Sequence, residues 1–251
     1  MGFTIAIAGK GGTGKTTIAA LIIRLLKERK GGSVLGIDAD PNSNLGELLG
    51  LKVKETIGNI LDEVAAHPDK IPAAMTKDRF LEYRVQTIIQ EDEGFDLLTM
   101  GRPEGPGCYC YVNNVLRNVM SRLIKDYDFV VIDNEAGLEH FSRKTTGSTN
   151  ALVVISDATA AGLRAAERIS ELVEELKIKT KNKFLVINRR DEEIGKEKIN
   201  NTGLNYIGRI PEDSQLTGIS IENNSVFSLK KNTASLMALA GLLDKIITGG
   251  I

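Results

Sequence analysis

Phe3-Thr4-Ile5-Ala6-Ile7-Ala8-Gly9, followed by Lys10-Gly11-Gly12-Thr13-Gly14-Lys15-Thr16-Thr17, is the stretch whose reading decides the fold. An apolar run of strand character ends in a glycine-rich loop, and the loop leads into a stretch with helical apolar spacing over 16–29. Gly9 to Thr16 matches G-x-x-x-x-G-K-[ST], and a strand before with a helix after is the setting in which that pattern cradles phosphate. Gly11, Gly12 and Gly14 let the loop turn its backbone N–H groups inward, Thr13 included, and the helix adds its positive dipole end. Lys15 is expected along the β- and γ-phosphates of ATP, the Thr16 hydroxyl on Mg²⁺, and Thr17 within the same nucleotide-binding loop.

Outward from this loop, runs rich in β-branched residues alternate with longer amphipathic stretches. That is the pattern of βαβ units around a parallel sheet. Strands are expected near 3–9, 33–37, 95–99, 128–132, 151–155, 183–187 and 204–209, and helices near 16–29, 57–66, 77–92, 112–125, 160–177, 191–199 and 234–247. The fold class is therefore α/β, doubly wound, with a mainly parallel sheet of about seven strands. No Pro/Gly/Ser linker or repeat divides 1–251, so one P-loop ATPase domain is expected. The apolar segment Leu236–Leu243 has no cation of its own and reads as a buried closing helix rather than a membrane-surface helix.

Composition narrows the partners. With 251 residues and 42% hydrophobic content the chain can bury a full core. A formal net charge of −1 offers no global attraction to nucleic acid or anionic lipid, so neither is expected as a partner. Two cysteines one residue apart suit neither a mutual disulfide nor a secreted framework. With no leader pattern and no apolar run of roughly 18 residues, a cytoplasmic, soluble, unprocessed chain is expected.

Carboxylates mark the ends of two further strands. Ile37-Asp38-Ala39-Asp40-Pro41 places paired acids where a metal-phosphate site beside the loop wants them, and Val130-Val131-Ile132-Asp133 is an apolar strand ending in Asp, a Walker B pattern. Lys10 needs its own explanation, because a second cation beside Lys15 is repelled unless both face phosphate. Lys10-Gly-Gly-Thr-Gly-Lys-Thr-Thr17 resembles the deviant Walker A of the MinD, ParA and nitrogenase iron protein family. That resemblance implies an ATP-driven homodimer, with Lys10 reaching the partner's nucleotide. It also implies that Asp40 positions or deprotonates the attacking water, that Asp38 and Asp133 lie in or near the magnesium shell, and that Asn188, Arg189 and Pro211 contact adenine. Lys10, Lys15 and Asp40 are thus the expected catalytic set.

The remaining motifs concern what the ATPase serves. Gly107-Cys108-Tyr109-Cys110-Tyr111 precedes a helix, whose dipole favours thiolate and soft-metal binding. Two sulfurs are too few for a closed site, and a dimer supplies four. Asp133-Asn134-Glu135-Ala136-Gly137-Leu138-Glu139-His140 resembles the Asp-x-Glu-Ala-Gly-x-Glu-His of CooC-type ATPases, which mature carbon monoxide dehydrogenase, and of their relatives serving acetyl-CoA synthase. The resemblance implies a metal chaperone that binds Ni²⁺ or Zn²⁺ through Cys108 and Cys110 at the dimer interface and passes nickel to one of those apoenzymes. His140 reads as a structural hydrogen-bonder, with a nickel-ligand or relay role as its alternative, and His67 as a helix-end surface residue. Two other functions compete: a partitioning or positioning ATPase of the ParA and MinD kind, in which Cys-x-Cys has no purpose, and an iron-sulfur protein like the nitrogenase iron protein, whose cysteines are spaced differently.

Overall fold

A computed structural model describes residues 2–67, 69, 71–102, 110–135, 148–192, 194–222 and 224–250, with the side chains of 110–115, 148, 196, 198 and 220 outside that description. The elements run β1 (Phe3–Gly9), α1 (Lys15–Arg29), β2 (Val34–Asp38), α2 (Leu45–Leu48), α3 (Ile57–Ala66), α4 (Lys77–Ile88), β3 (Gln90–Asp92), β4 (Phe95–Thr99) and α5 (Cys110–Leu123). They continue with β5 (Phe129–Asp133), β6 (Ser148–Ser156), α6 (Ala160–Glu175), β7 (Lys179–Ile187), α7 (Lys196–Asn200), β8 (Asn205–Arg209), α8 (Ser214–Glu222) and α9 (Ala234–Thr248).

One eight-stranded sheet carries them in the order β3-β4-β2-β5-β1-β6-β7-β8. Every neighbouring pair is parallel except β3 with β4. The chain leaves β1 in both directions across the sheet, which is the doubly wound arrangement, and its strand ends open on the crevice where such folds bind ligands.

Strand alternation divides the core in two. Ala6, Ala8, Val130 and Ile132 face one layer built from α3, α4, α5 and α6, with Leu116, Met120, Leu163 and Ile169 among its buried residues. Ile5, Ile7, Val131 and Val153 face the other, where α1 and α9 supply Leu21, Ile22, Leu239 and Leu243. Both faces of the parallel sheet are covered, which accounts for the near-continuous apolar strands. α9 closes the second layer as expected: Leu236, Leu239, Leu242, Leu243 and Ile246 are buried, and the helix stops at Gly249 with φ +85°.

All the expected strands are present, and three local readings need correction. The stretch 77–92 is not one helix: α4 ends at Ile88, and Gln90–Asp92 pairs antiparallel with β4 through a two-residue turn at Glu93-Gly94, where Gly94 has φ +82°. The helix expected at 191–199 is the single short α7. The helix α8 stands where no element was expected, and α2 is a short turn within the stretch 41–94, which was expected to be helical without bounds being set for this part. Among the described residues no helix is long and apolar enough to cross a membrane.

Candidate functional site: a phosphate loop with two buried carboxylates

Gly14 ends the loop in a left-handed conformation, φ +89°, and α1 starts at the next residue. Gly12 is also left-handed, at φ +82°. Glycine carries such angles without the strain that a Cβ brings. The start of α1 has no side-chain cap and no acidic residue in its first turn. Its first N–H groups and its dipole are therefore left for an anion from outside the chain.

The loop is braced from within by a single carbonyl. Lys10 O accepts from Thr13 N at 3.3 Å, from Thr13 Oγ1 at 2.8 Å and from Lys15 Nζ at 3.4 Å. Lys15 is buried at 7% exposure. The Lys10 side chain, in contrast, is exposed.

Asp38 and Asp133 end adjacent strands at the same register position, and both are fully buried. Burial pushes Asp38 up to about 7, with the Asp133 charge adding to the rise; the amides of Leu45 and Asp40, which donate to its two oxygens at 3.0 and 3.2 Å, only partly offset this. Asp133 is likewise pushed up to about 6 by burial, while the Thr16 hydroxyl and the Lys15 ammonium pull the other way. Among the described residues neither Asp133 oxygen has a partner in ordinary hydrogen-bond geometry. A buried, unpartnered carboxylate is costly unless a cation or its waters meet it. The donor set of Thr16, Asp38 and Asp133 therefore fits Mg²⁺ held together with nucleotide phosphates.

Asp40 is half-buried at the head of the following turn, where its Oδ1 accepts from Asn42 N and Asn42 Nδ2, each at 2.9 Å. Its negative charge raises both neighbours, so it lies within electrostatic reach of the pair.

Asn188, Arg189 and Pro211 come together around a cavity of about 270 Å³ that also touches Gly14, Thr17 and Ile210. Asn188 is buried, and its Nδ2 donates to Thr13 O at 2.8 Å. Arg189, at φ +57°, donates from Nη1 to Gly12 O at 3.3 Å. Both side chains thus act on the phosphate loop as well as lining the slot beside it.

Two residues of this region stand in motifs noted in the sequence but were given no role of their own there. Asp213 accepts from the amides of Gln215 and Leu216 through Oδ1, and from Ser235 N and Oγ through Oδ2, so it ties the starts of α8 and α9 beside Pro211. Burial works to raise it, yet the hydrogen bonds from Ser235, Gln215 and Leu216 hold it below the usual carboxylate range. Its place after a proline turn and before Ser214 was the available signal. Asn134 is fully buried; its backbone N and Nδ2 both reach Ile7 O, at 3.1 and 2.9 Å, and its Oδ1 has no partner among the described residues.

Cys108, His140 and the rest of 103–109 and 136–147 lie outside the described residues; Cys110 is the first residue of α5, its side chain likewise outside. Among the described residues no three His, Cys, Asp or Glu side chains are grouped to hold a metal ion by themselves.

Residues 4–226 match the family profile of the CobQ/CobB/MinD/ParA nucleotide binding domain. The chain is 43% identical over 249 residues to the ATP-binding protein MJ0685 of Methanocaldococcus jannaschii, covering 97% of this chain and 98% of that one. It is 33% identical over 187 residues to the carbon monoxide dehydrogenase accessory protein CooC of Rhodospirillum rubrum, covering 70% and 71%. Among solved structures, the MinD cell division protein of Aquifex aeolicus superposes with a TM-score of 0.72 at 20% identity, covering 99% of this chain and 98% of that one.

Proposed function

The chain belongs to the CobQ/CobB/MinD/ParA family of P-loop ATPases, and from that premise we propose that it is an ATP-hydrolysing homodimer that carries nickel to carbon monoxide dehydrogenase or acetyl-CoA synthase during maturation. The observation that carries the reading is Cys108-Tyr109-Cys110, the chain's only cysteines, in a protein 33% identical to CooC over most of its length.

In this reading the α1 amino terminus and Lys15 bind the β- and γ-phosphates, and the slot beside Asn188 and Pro211 takes adenine. Magnesium, held by Thr16, Asp38 and Asp133, would neutralise phosphate charge. Asp40 orients the attacking water, and Lys10, exposed on the loop, reaches the nucleotide of the second protomer. Closing the dimer brings two Cys-x-Cys pairs together as four thiolates, enough for one soft divalent cation. Opening after hydrolysis releases it to the client.

Metal content per protomer, measured under reducing conditions with and without nucleotide, tests this reading. About one Ni²⁺ or Zn²⁺ per dimer is expected, lost in the Cys108→Ser/Cys110→Ser variant while ADP affinity stays unchanged. Full metal content in that variant would place the ligands elsewhere. ATP-dependent cosedimentation with DNA or anionic vesicles, without metal binding, would replace the chaperone by a positioning ATPase.

A further inference from the structure

Asp38 and Asp133 stand level at the ends of neighbouring strands, but their surroundings differ. Among the described residues neither oxygen of Asp133 has a hydrogen-bond partner. Each oxygen of Asp38 has one: Oδ1 accepts from Asp40 N at 3.2 Å, and Oδ2 accepts from Leu45 N at 3.0 Å. One carboxylate thus holds both ends of the loop that carries Asp40. The base of that loop is fixed as well, since Ala39 N donates to Asp133 O at 2.9 Å and Met100 N donates to Asp38 O at 2.8 Å.

Within the loop, Asp40 O accepts from Ser43 N at 3.0 Å, and Ser43 lies at φ +55°, a left-handed conformation uncommon for serine. Such a conformation persists only where its surroundings hold it. The simplest account of Asp38 is a helix cap, an acid that satisfies the first amide of α2. Asn44 already occupies the cap position, however, and its side chain makes no capping bond, so a surface group suited to that task is left unused. The bond to Asp40 N lies outside α2 and serves no helix. A fully buried carboxylate beside a second one is also an unfavourable place for a mere cap.

With Asp40 in the role given above, we propose that Asp38 is a positioning residue for hydrolysis: its two oxygens hold the loop from Asp40 to Leu45 and so set the Asp40 carboxylate against the attacking water. Asp40 Oδ1 is taken by Asn42 N and Nδ2, and among the described residues Oδ2 is left to meet water. Each carboxylate oxygen has two lone pairs, so Asp38 keeps its amides while it also faces Mg²⁺.

The test is single-turnover ATP hydrolysis by Asp38→Asn, Asp40→Ala and the double variant, each saturated with Mg-ATP so that differences in nucleotide or metal affinity drop out. Asparagine keeps the size of Asp38 but offers one acceptor oxygen where two are needed. The expected loss is at least about tenfold for Asp38→Asn in the parent and less than about threefold for the same change in Asp40→Ala, where the residue it positions is gone. No loss in the parent, or equal losses in the two backgrounds, would overturn the positioning role and leave Asp38 to the metal or to the fold. Full turnover in Asp40→Ala alone would overturn the role of Asp40 itself, and with it the need for a residue that positions it. Amide hydrogen exchange of the unaltered protein adds a check that depends on no variant. The amides of Asp40 and Leu45 should be protected both with and without Mg-ADP, and exchange of either at the rate of an unprotected amide would break the proposed hold.

Discussion

Asn188 at the end of β7 donates from Nδ2 to the carbonyl of Thr13 at 2.8 Å, joining two segments 175 residues apart inside the protein. The contact straps the phosphate loop to the wall of the neighbouring slot. Asn188→Ala leaves a buried carbonyl without its donor, which costs about 1–3 kcal/mol. ADP affinity should fall roughly tenfold or more. Calorimetry is the natural readout because the chain has no tryptophan. Unchanged affinity would mean that the loop keeps its shape without the strap.

Gly14 is the other side of the same contact. A Cβ there would lie 2.5 Å from Asn188 Nδ2, on a backbone at φ +89°. Gly14→Ala should therefore weaken nucleotide binding well beyond the loss in Asn188→Ala while leaving it measurable. In an Asn188→Ala background the added loss should be smaller, because the clash disappears and only the backbone strain remains. Strictly additive losses across the cycle of single and double variants would contradict a shared origin.

Lys15 and Asp40 should fail in different ways. Lys15 is buried within the loop, so in the proposed reading Lys15→Ala removes the cation set against phosphate and should lower nucleotide affinity. Among the described residues the Asp40 carboxylate is tied only to Asn42 in its own turn. Asp40→Ala should keep nucleotide affinity within about threefold while slowing single-turnover ATP hydrolysis by about 10²-fold or more. Equal affinity losses in the two variants would contradict the assigned roles.

Stability of the nucleotide-free protein should fall as pH rises. Asp38 and Asp133 titrate near 3.8 when unfolded and are pushed up to about 7 and about 6 in the fold. Below about pH 4 both are protonated in either state and cost nothing; between pH 4 and 7 the folded chain holds protons that the unfolded chain has released, so that advantage is lost as pH passes the folded values. Melting temperatures should decline from pH 5 to pH 8, the decline should be shallower in Asp133→Asn, and Mg-ADP should reduce it by supplying the missing positive charge. An Asp133→Asn profile parallel to that of the parent would remove this carboxylate as the cause.

The strands and the phosphate loop were legible because their signals are local: an apolar run, glycines at fixed spacing, an acid at a strand end. Asp38 and Asp133 could be found by that logic, since parallel neighbours β2 and β5 bring their last residues level. What could not be read depends on tertiary contact. The single turn α2 exists where Leu45 N donates to the buried Asp38 carboxylate, and α8 starts where Asp213 collects amides from its first turn. The hairpin at β3 was hidden because Gln90-Glu91-Asp92 has no strand character and pairs only through its backbone with β4. Asn188 was expected at the base; that it also carries the phosphate loop is visible only once β7 lies beside β1 and β6.

Lys10 keeps its backbone and its side chain for separate tasks: the carbonyl gathers three donors and sets the loop, while the ammonium group points its charge outward. A protomer with Lys10→Ala should then own a sound loop and lack only what it gives its neighbour, whereas a Lys15→Ala protomer gives but cannot receive. Mixed in equal amounts, two individually dead proteins would complement each other, because half of the randomly formed pairs would contain one intact loop facing one intact lysine. In the proposed dimer, recovered turnover in such a mixture would count the donors and acceptors of the reaction subunit by subunit.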